Sequence, residues 1–430
     1  MMSKPPKRSL SFCVLALLLS GLILTGCLPG FLRPPTPDPV VLRFAYRQHT
    51  VEMDTLLDEF EEEYPWITVE AQAVQRYGDQ IAGLVRNGQI DLFRDERSAL
   101  SLAAQGLLRP LDDVQLGDWG DIRDDYFRGT WEGLRIRGQQ FGVPAGTDTL
   151  VAYVNMNQVQ ALNVPLPDEN WGMFDMLGLA NALNYPEGLP GDATQRLFGF
   201  CTTPESMDPL VLIYLFGGSI VDDINAPTRA TLDDPATVEA VRWYADLFQR
   251  YGVAPDRDRL RLAFPQGGVY EAATRGHCGL WLGWYSNRGG LDTPYRWVDS
   301  WYMLTLPREH THLGLAEIEG YYITASSPHP EEALLLIRFL SERWEAAGQR
   351  IPPRRSMVQS AAYEHAVGAN AAAVARELPA EMLVIPAELP PQLERIGELT
   401  MVAVNRVINE GLNAEDVLAE AQLQAEAALH

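Results

Sequence analysis

The chain has 430 residues, of which 47% are hydrophobic and 21% are charged, an ordinary globular composition with enough apolar side chains for sizeable cores. Its net charge of −23 at pH 7 argues against nucleic acid as a partner and against electrostatic adhesion to anionic lipid. The length suits about two or three domains, or one fold of two large lobes.

The first 26 residues are predicted to be a secretory signal peptide. A short positively charged lead precedes an apolar run over residues 9–24, which is at or below the roughly 17–25 residues that a membrane-spanning helix needs. Thr25, Gly26 and Cys27 then resemble the lipobox of bacterial lipoproteins, which implies a diacylglyceryl group on Cys27. The expected location is the outer face of the cytoplasmic membrane, at the cell surface or in a periplasm, with lipid as the sole anchor. The alternative is an ordinary signal peptide with a chance cysteine.

Residues 27–39 contain five prolines and are predicted to be a stiff, extended tether. After the tether, strand patterns alternate with helix patterns, which predicts an α/β fold with a mostly parallel sheet. The predicted strands and helices are, in chain order, residues 40–46, 53–64, 67–71, 78–87, 90–93 and 96–105. Ligands of such sheets bind outside the carboxyl ends of the strands. The side chains at those ends are Tyr46, Arg47, Gln48, His49, Arg94 and Asp95.

Several short motifs follow one another through the rest of the chain. They include Ile90-Asp91-Leu92-Phe93 with residues 104–111, Tyr153-Val154-Asn155, Phe198-Gly199-Phe200, Asp233-Asp234-Pro235 at a helix start, Thr305-Leu306-Pro307 and Ile351-Pro352-Pro353-Arg354. Their order resembles the extracellular solute-binding proteins of ABC importers, family 1, the maltose-binding-protein-like group. The resemblance implies a two-lobed periplasmic-binding-protein-like fold, with a mostly parallel sheet flanked by helices in each lobe. It also implies a monomer that binds a solute between the lobes and delivers it to ABC permease subunits.

The resemblance further implies a few hinge segments that cross between the lobes. The expected crossings are residues 145–148, 294–300 and 346–351. Lobe one is then expected to comprise residues 40–146 with 300–345. Lobe two is expected to comprise residues 147–299 with 346–430.

Candidate solute-binding side chains are of two kinds, because a sugar needs aromatic faces for its C–H surfaces and polar groups for its hydroxyls. By similarity to the family, Trp284 and Tyr285 at a strand end are expected to stack on sugar, with core packing as the alternative. Asp148 is expected to bind ligand because the family has a carboxylate at about this position. The other polar candidates are Glu205, Glu319, Tyr321 and Arg354, and a structural ion pair is equally open for Arg354.

Arg94 falls about where the family has an aromatic platform, and Arg47 and His49 add positive charge nearby. A basic rim of this kind would suit an anionic solute. The favoured alternative is that Arg94 pairs with Asp91 or Asp95. A neutral monosaccharide or oligosaccharide is therefore the first expectation, while acidic sugars, glycerol phosphates, polyamines and other polyols stay open.

The sequence contains no zinc-protease, Walker or dinucleotide-binding motif, so no catalytic residue, metal or cofactor is predicted. Carboxylates are abundant, which leaves a surface glycoside hydrolase as one alternative function. A lipoprotein that reports solute to a membrane sensor is another. Cys201 and Cys278 either form a disulfide or remain as buried thiols, because their spacing decides nothing.

Overall fold

The computed structural model of the chain describes residues 37–47, 50–75, 79–112, 122–168, 170–192, 195–224, 226–265, 267–290, 296–310, 314–377, 382–384 and 391–429. The predicted signal peptide, Cys27 and most of the predicted tether lie outside these residues, as do Gln48 and His49. No helix within the described ranges is long and apolar enough to cross a membrane.

Strands and helices alternate from the start of the described chain. The strands are β1 (Val40–Arg47), β2 (Ile67–Val74), β3 (Leu92–Glu96), β4 (Arg135–Ile136), β5 (Gln139–Gln140), β6 (Gly142–Asn155), β7 (Phe198–Cys201), β8 (Cys278–Trp284), β9 (Trp301–Leu304), β10 (Gly314–Ile323) and β11 (Met382–Val384). The helices are α1 (Val51–Glu63), α2 (Gln80–Arg86), α3 (Ser101–Ala104), α4 (Met156–Leu162), α5 (Met173–Ala182), α6 (Asp208–Leu215), α7 (Pro235–Gln249), α8 (Arg257–Ala263), α9 (Gly268–Thr274), α10 (Pro330–Ser341), α11 (Arg355–Val358), α12 (Ala361–Val367), α13 (Ala369–Arg376), α14 (Pro391–Asn409) and α15 (Ala414–Leu429).

Local sequence explains where the helices begin. The Thr50 hydroxyl accepts a hydrogen bond from the backbone N–H of Met53 and so caps α1, whose buried residues recur at helical spacing. In α7, Asp234 occupies the N-cap and Pro235 the first helical position, where its missing N–H costs no hydrogen bond. The predicted helix start at Asp234-Pro235 is therefore confirmed.

The long strand β6 joins the two halves of the sheet. Its first part, Gly142 to Thr149, pairs antiparallel with β10, and its second part, Leu150 to Asn155, pairs antiparallel with β8 and β9. The strand order is β2-β1-β3-β10-β6-β8-β7, with β11 beside β10 and β9 beside β6. All 14 residues of β6 are buried, as expected for a strand covered on both faces.

Each half of the sheet has apolar side chains on both faces. In the first half, Phe44 and Leu336 belong to one cluster, while Ala45 and Phe93 belong to a cluster on the other face. Since successive side chains of a strand point to opposite faces, both sides of β1 need helices. Helix α10 is part of this core, because it buries Ala333, Leu336, Ile337 and Leu340 there.

The predicted two-lobed α/β fold is confirmed, but its sheets are mixed rather than mostly parallel. β1 pairs parallel with β2 and β3, and β7 pairs parallel with β8. β10 pairs antiparallel with β3 and β6, and β6 pairs antiparallel with β8. A chain that passes from one lobe to the other and returns brings such strands into each half.

One predicted lobe boundary is placed too early. Residues 300–345 are expected in lobe one, yet β9 pairs with residues 152–155 of β6. Met303 of β9 is buried in one cluster with Tyr153 and Trp281. The pairing and the packing put β9 with the second half of the sheet, and the rest of the predicted division stays a prediction.

Cys201, at the end of β7, and Cys278, at the start of β8, form a disulfide. Both residues are buried, at 1% and 0% exposure. The alternative of two separate buried thiols is thus excluded, and the bond links two strands that also pair through their backbones.

Candidate solute-binding site

A cavity of about 390 Å³ opens at the carboxyl ends of β1 and β3. Tyr46, Arg47 and Arg94 line it from those strand ends, together with Thr50 and Met53 at the start of α1. Sheets with crossover helices place the ends of neighbouring strands at one edge, which is where ligands of α/β folds bind. The structure thus brings together three of the residues that the strand-end argument predicts.

The second half of the sheet contributes the turn after β8. Ser286, Arg288, Gly289 and Gly290 line the cavity, as does Arg296 a few residues later. Gly289 has a φ of +74° and Gly290 one of +83°, a left-handed region that glycine adopts without strain. This turn therefore folds back toward the cavity because two consecutive glycines permit it.

A segment that crosses between the halves closes the remaining side of the cavity. Residues 346–350 line it, and the backbones of Thr147 and Ile351 exchange two hydrogen bonds directly behind it, at 2.9 and 2.8 Å. A Cβ atom on Gly146 would lie 3.2 Å from the Cβ atom of Arg350, so glycine allows the two crossing segments to approach. The predicted crossings at residues 145–148 and 346–351 thus lie side by side.

Glu319 of β10 lies between two arginines at this crossing. Its Oε2 atom accepts a hydrogen bond from Nε of Arg94 at 2.7 Å, and its Oε1 atom lies 2.7 Å from Nε of Arg350. Burial by itself would raise the pKa of Glu319, but the two guanidinium groups outweigh burial and lower that pKa to about 2. Glu319 lines the cavity, but both of its oxygens are engaged by protein groups.

The expectation that Arg94 pairs with Asp91 or Asp95 is wrong. Asp91 is held by Arg43, with a 2.8 Å contact between Oδ1 and Nη2, because both face the same side of the sheet. Asp95 is held by Arg47 through two hydrogen bonds. Arg94 instead reaches Glu319, a partner 225 residues later in the chain.

Asp148 lies behind the cavity wall rather than in it. It is 2% exposed, accepts a hydrogen bond from the backbone N–H of Ser286 at 3.0 Å, and lies 3.5 Å from Arg350. Burial raises the pKa of the Asp148 carboxyl, although Arg350 and Ser286 act in the opposite direction. Asp148 therefore holds the turn after β8 against the crossing segment. Asp95 is likewise buried behind Arg47.

The two predicted aromatic residues do not line the cavity. Trp284 packs against the apolar cluster of the second half, and its carbonyl accepts a hydrogen bond from the Tyr153 hydroxyl at 2.7 Å. Tyr285 is fully buried and shares a 2.8 Å hydrogen bond with the Tyr363 hydroxyl. For both residues the geometry favours the alternative of core packing, because the strand end turns their rings inward.

Three polar candidates also lie outside the cavity wall. Tyr321 is fully buried in the core of the first half. Glu205 is exposed and accepts a hydrogen bond from the side chain of Asn405. Arg354 forms an ion pair with Asp125, with a 2.9 Å contact from Nε, which is the structural role left open for it.

The sequence itself matches a known family. The sequence pattern of bacterial extracellular solute-binding proteins matches residues 47–343, well over half of the chain. The chain belongs to this family. The predicted resemblance is therefore confirmed, and the cavity is the candidate binding site of a solute-binding protein.

Solved structures share the fold of this solute-binding protein at low sequence identity. An ABC substrate-binding protein from Listeria monocytogenes in complex with cycloalternan has a TM-score of 0.71 at 18% identity, covering 91% of this chain and 99% of that one. The sugar-binding protein MalE from Xanthomonas citri has a TM-score of 0.68 at 18% identity, covering 90% and 97%. UgpB from Mycobacterium tuberculosis in complex with glycerophosphocholine has a TM-score of 0.66 at 16% identity, covering 91% and 98%. At these identities the likeness shows the fold alone.

Sequence reasoning missed most of the cavity wall in this solute-binding protein, including Ser286, Arg288, Arg296 and Arg350. Arg350 lies inside a predicted crossing, so the segment was identified but not its side chain. The glycine pair after Arg288 was the available signal for a turn next to the site. Among the described residues, no group of three or more His, Cys, Asp or Glu side chains is arranged to hold a metal ion.

Proposed function

We propose that this chain is the lipid-anchored, monomeric receptor of an ABC importer, which captures a small carbohydrate between two lobes and delivers it unaltered to the permease. The observation that carries the proposal is a cavity whose walls come from both halves of the sheet and from the segments that join them. In such an arrangement, a hinge movement at the joining segments opens and closes the site.

The dimensions of the cavity support a small solute. Small-molecule sites usually measure about 300–1,000 Å³, and a cavity of about 390 Å³ is near the lower end of that range. Affinity in a closing receptor depends on how much better the closed form contacts the solute than the open form. Solute-contacting groups on both walls, such as Tyr46 and Ser286, would supply that difference.

The choice of carbohydrate is supported by the solutes of proteins with the same fold. One from Listeria monocytogenes was solved with cycloalternan and one from Thermotoga lettingae with α-D-tagatose. Hydroxyl, guanidinium and backbone groups in the wall, including Thr50, Ser286 and Arg288, are suited to the hydroxyl groups of a sugar.

The proposed location outside the cytoplasm has two supports. Disulfides persist in oxidising compartments, and Cys201 and Cys278 form one here. The sequence Thr25-Gly26-Cys27 is the second support.

We predict that Cys27→Ser leaves the protein unlipidated and moves it from the membrane fraction to the soluble fraction. Incorporation of labelled fatty acid followed by fractionation measures this, and membrane retention of Cys27→Ser with no loss of label would contradict the anchor.

A melting-temperature screen over neutral and charged sugars, polyols and polyamines tests the proposed function. A true solute stabilises the folded chain by about 2.7 kcal/mol at a concentration 100 times its dissociation constant. We expect at least one carbohydrate to raise the melting temperature in a concentration-dependent way and to be recovered chemically unchanged by chromatography. Stabilisation by polyamines alone, or cleavage of the sugar during incubation, would overturn the proposal.

A further inference from the structure

The wall of the cavity is strongly basic within a strongly acidic protein. Five arginines line it, whereas the acidic residues that line it are Glu96 and Glu319. The whole chain has a net charge of −23. At physiological salt the field of distant surface charges is screened within about 8 Å, so the charges of the wall itself decide which solutes are attracted.

Three of these arginines have carboxylate partners. Arg47 pairs with Asp95, and Arg94 pairs with Glu319. Arg350 contacts Glu319, Asp148, Glu317 and Glu96, at distances between 2.7 and 3.5 Å. Both acidic residues of the wall take part in these ion pairs. The positive charges of the three arginines are therefore balanced by carboxylates of the protein.

Arg288 is held in place without a carboxylate partner among the described residues. Its guanidinium lies over the Tyr285 ring, 4.6 Å from the centroid, and Nη1 donates to the carbonyls of Tyr285 and Gln349. Neither of these hydrogen bonds uses Nε or Nη2. A guanidinium has five N–H donors, so Arg288 retains a pre-oriented edge that can bind an acceptor in the cavity.

Arg296 lines the same cavity with an exposed side chain. Its backbone bridges to that of Gly290, which ties it to the turn that carries Arg288. Within the part of the chain that the structure describes, its guanidinium has no ion pair and no hydrogen bond. Arg288 and Arg296 thus both line the cavity, and neither has a carboxylate partner among the residues that the structure describes.

We propose that the solute is an anionic carbohydrate whose carboxylate or phosphate group is bound by Arg288 and Arg296. The inference rests on the proposed function and deepens it by naming the class of carbohydrate. Guanidinium forms paired, charge-assisted hydrogen bonds with both kinds of anion, and these are about twice as strong as neutral ones. A neutral sugar would bring no negative charge to offset these two guanidinium groups when the lobes close around it.

Calorimetric titration with matched neutral and acidic sugars tests this inference. The probes are glucose, glucuronate and glucose 6-phosphate, and galactose with galacturonate, each at low and high salt. The variants are Arg296→Gln, which removes the charge, and Arg296→Lys, which keeps the charge without the fork. Arg86→Gln is the matched control, because Arg86 is an exposed arginine of α2 that does not line the cavity.

We expect an acidic sugar to bind more tightly than its neutral parent and to weaken at high salt. Arg296→Gln should reduce that affinity about 10- to 100-fold, Arg296→Lys should retain part of it, and Arg86→Gln should bind as the parent does. The carboxylate and phosphate probes show which anion the site prefers. If a neutral sugar binds as tightly as its acid, or Arg296→Gln changes neither affinity, the inference is wrong while the proposed function stands. If no carbohydrate of either kind binds or raises the melting temperature, the proposed function fails and the inference fails with it.

Discussion

Glu319 is the residue on which the crossing between the lobes depends most. It holds Arg94 from β3 and Arg350 from the segment before Ile351, and all three side chains are largely buried. A buried charge that loses its partner is costly, because its desolvation is no longer offset. The contacts of Glu319 are therefore a structural requirement of this part of the molecule.

We predict that Glu319→Gln lowers the free energy of unfolding by about 3 kcal/mol at pH 7. The folded-state pKa of Glu319 is about 2, below the ordinary value of 4.5, so the ionised carboxylate stabilises the folded chain. This stabilisation is fully present above about pH 4.5 and is lost as the pH falls toward 2. Urea unfolding of parent and variant across this pH range measures the difference.

The control for this prediction is Glu62→Gln, which changes an exposed glutamate on α1. Its effect should stay within about 0.5 kcal/mol at every pH. A parent-minus-variant difference for Glu319→Gln that did not shrink between pH 4.5 and pH 2 would show that the ion pairs are not its cause.

Substitution of Trp284 distinguishes a role in core packing from a role in solute contact. The structure packs Trp284 in the apolar cluster of the second half, outside the cavity wall. Because large-to-small substitution of a fully buried aromatic residue costs about 3–5 kcal/mol, we expect the partly buried Trp284→Ala to cost about 2 kcal/mol. We also expect its dissociation constant for a sugar identified in the screen to stay within about twofold of the parent value. Weaker binding with unchanged stability would show that Trp284 contacts the solute.

Which site residues could be predicted depends on how local their signal is. Tyr46, Arg47 and Arg94 follow buried strands, so the position of the strand ends was enough to locate them. The pairing of Arg94 with Glu319 spans 225 residues, and nothing near either residue in sequence indicates it. The role of Arg350 depends on the same kind of distant contact, because its carboxylate partners include Glu96 and Asp148.

Among the secondary-structure elements, β7 and β8 are joined covalently by the disulfide between Cys201 and Cys278. It closes a loop whose ends are 77 residues apart in sequence, which restricts the unfolded chain. A loop of this length is worth about 4 kcal/mol by chain entropy alone, although measured values are often nearer 2.

We predict that the double variant Cys201→Ser with Cys278→Ser unfolds at a free energy about 2–4 kcal/mol below that of the parent. A reducing agent should lower the stability of the parent toward that of the double variant and leave the double variant unchanged. Guanidinium unfolding with and without reductant measures both effects. Equal stability of the parent in the two conditions would contradict a stabilising disulfide.

The elements themselves were largely predictable, whereas their pairing was not. The buried stripe of α1 and the cap of α7 are local patterns, and both of these predicted helices are present. Alternating strands and helices favour a parallel sheet, yet β6 and β10 pair antiparallel. These two strands are connected through more than 150 residues, so the sequence between them does not set their direction. The placement of β9 in the second half was missed for the same reason.

The whole molecule is acidic, yet its two halves meet at a cavity that is lined by five arginines. The net charge is −23, and cleavage of the predicted signal peptide with its three cations would make it −26, so the protein as a whole repels anions. A site that nevertheless binds an anion must do so through local contacts, which are concentrated on the turn after β8. The protein should then select its solute by short-range pairing rather than by long-range attraction.

The substitution Gln349→Trp tests whether the solute binds in this cavity. The Gln349 side chain lines the cavity and is exposed, so an indole there would fill the site. The matched control is Gln160→Trp, on the exposed surface of α4. In calorimetric titration with a sugar that stabilises the parent, we predict no binding to Gln349→Trp, parent-like binding to Gln160→Trp, and unfolding free energies within about 0.5 kcal/mol of the parent for both. Binding of that sugar to Gln349→Trp with the dissociation constant of the parent would show that the solute site lies elsewhere.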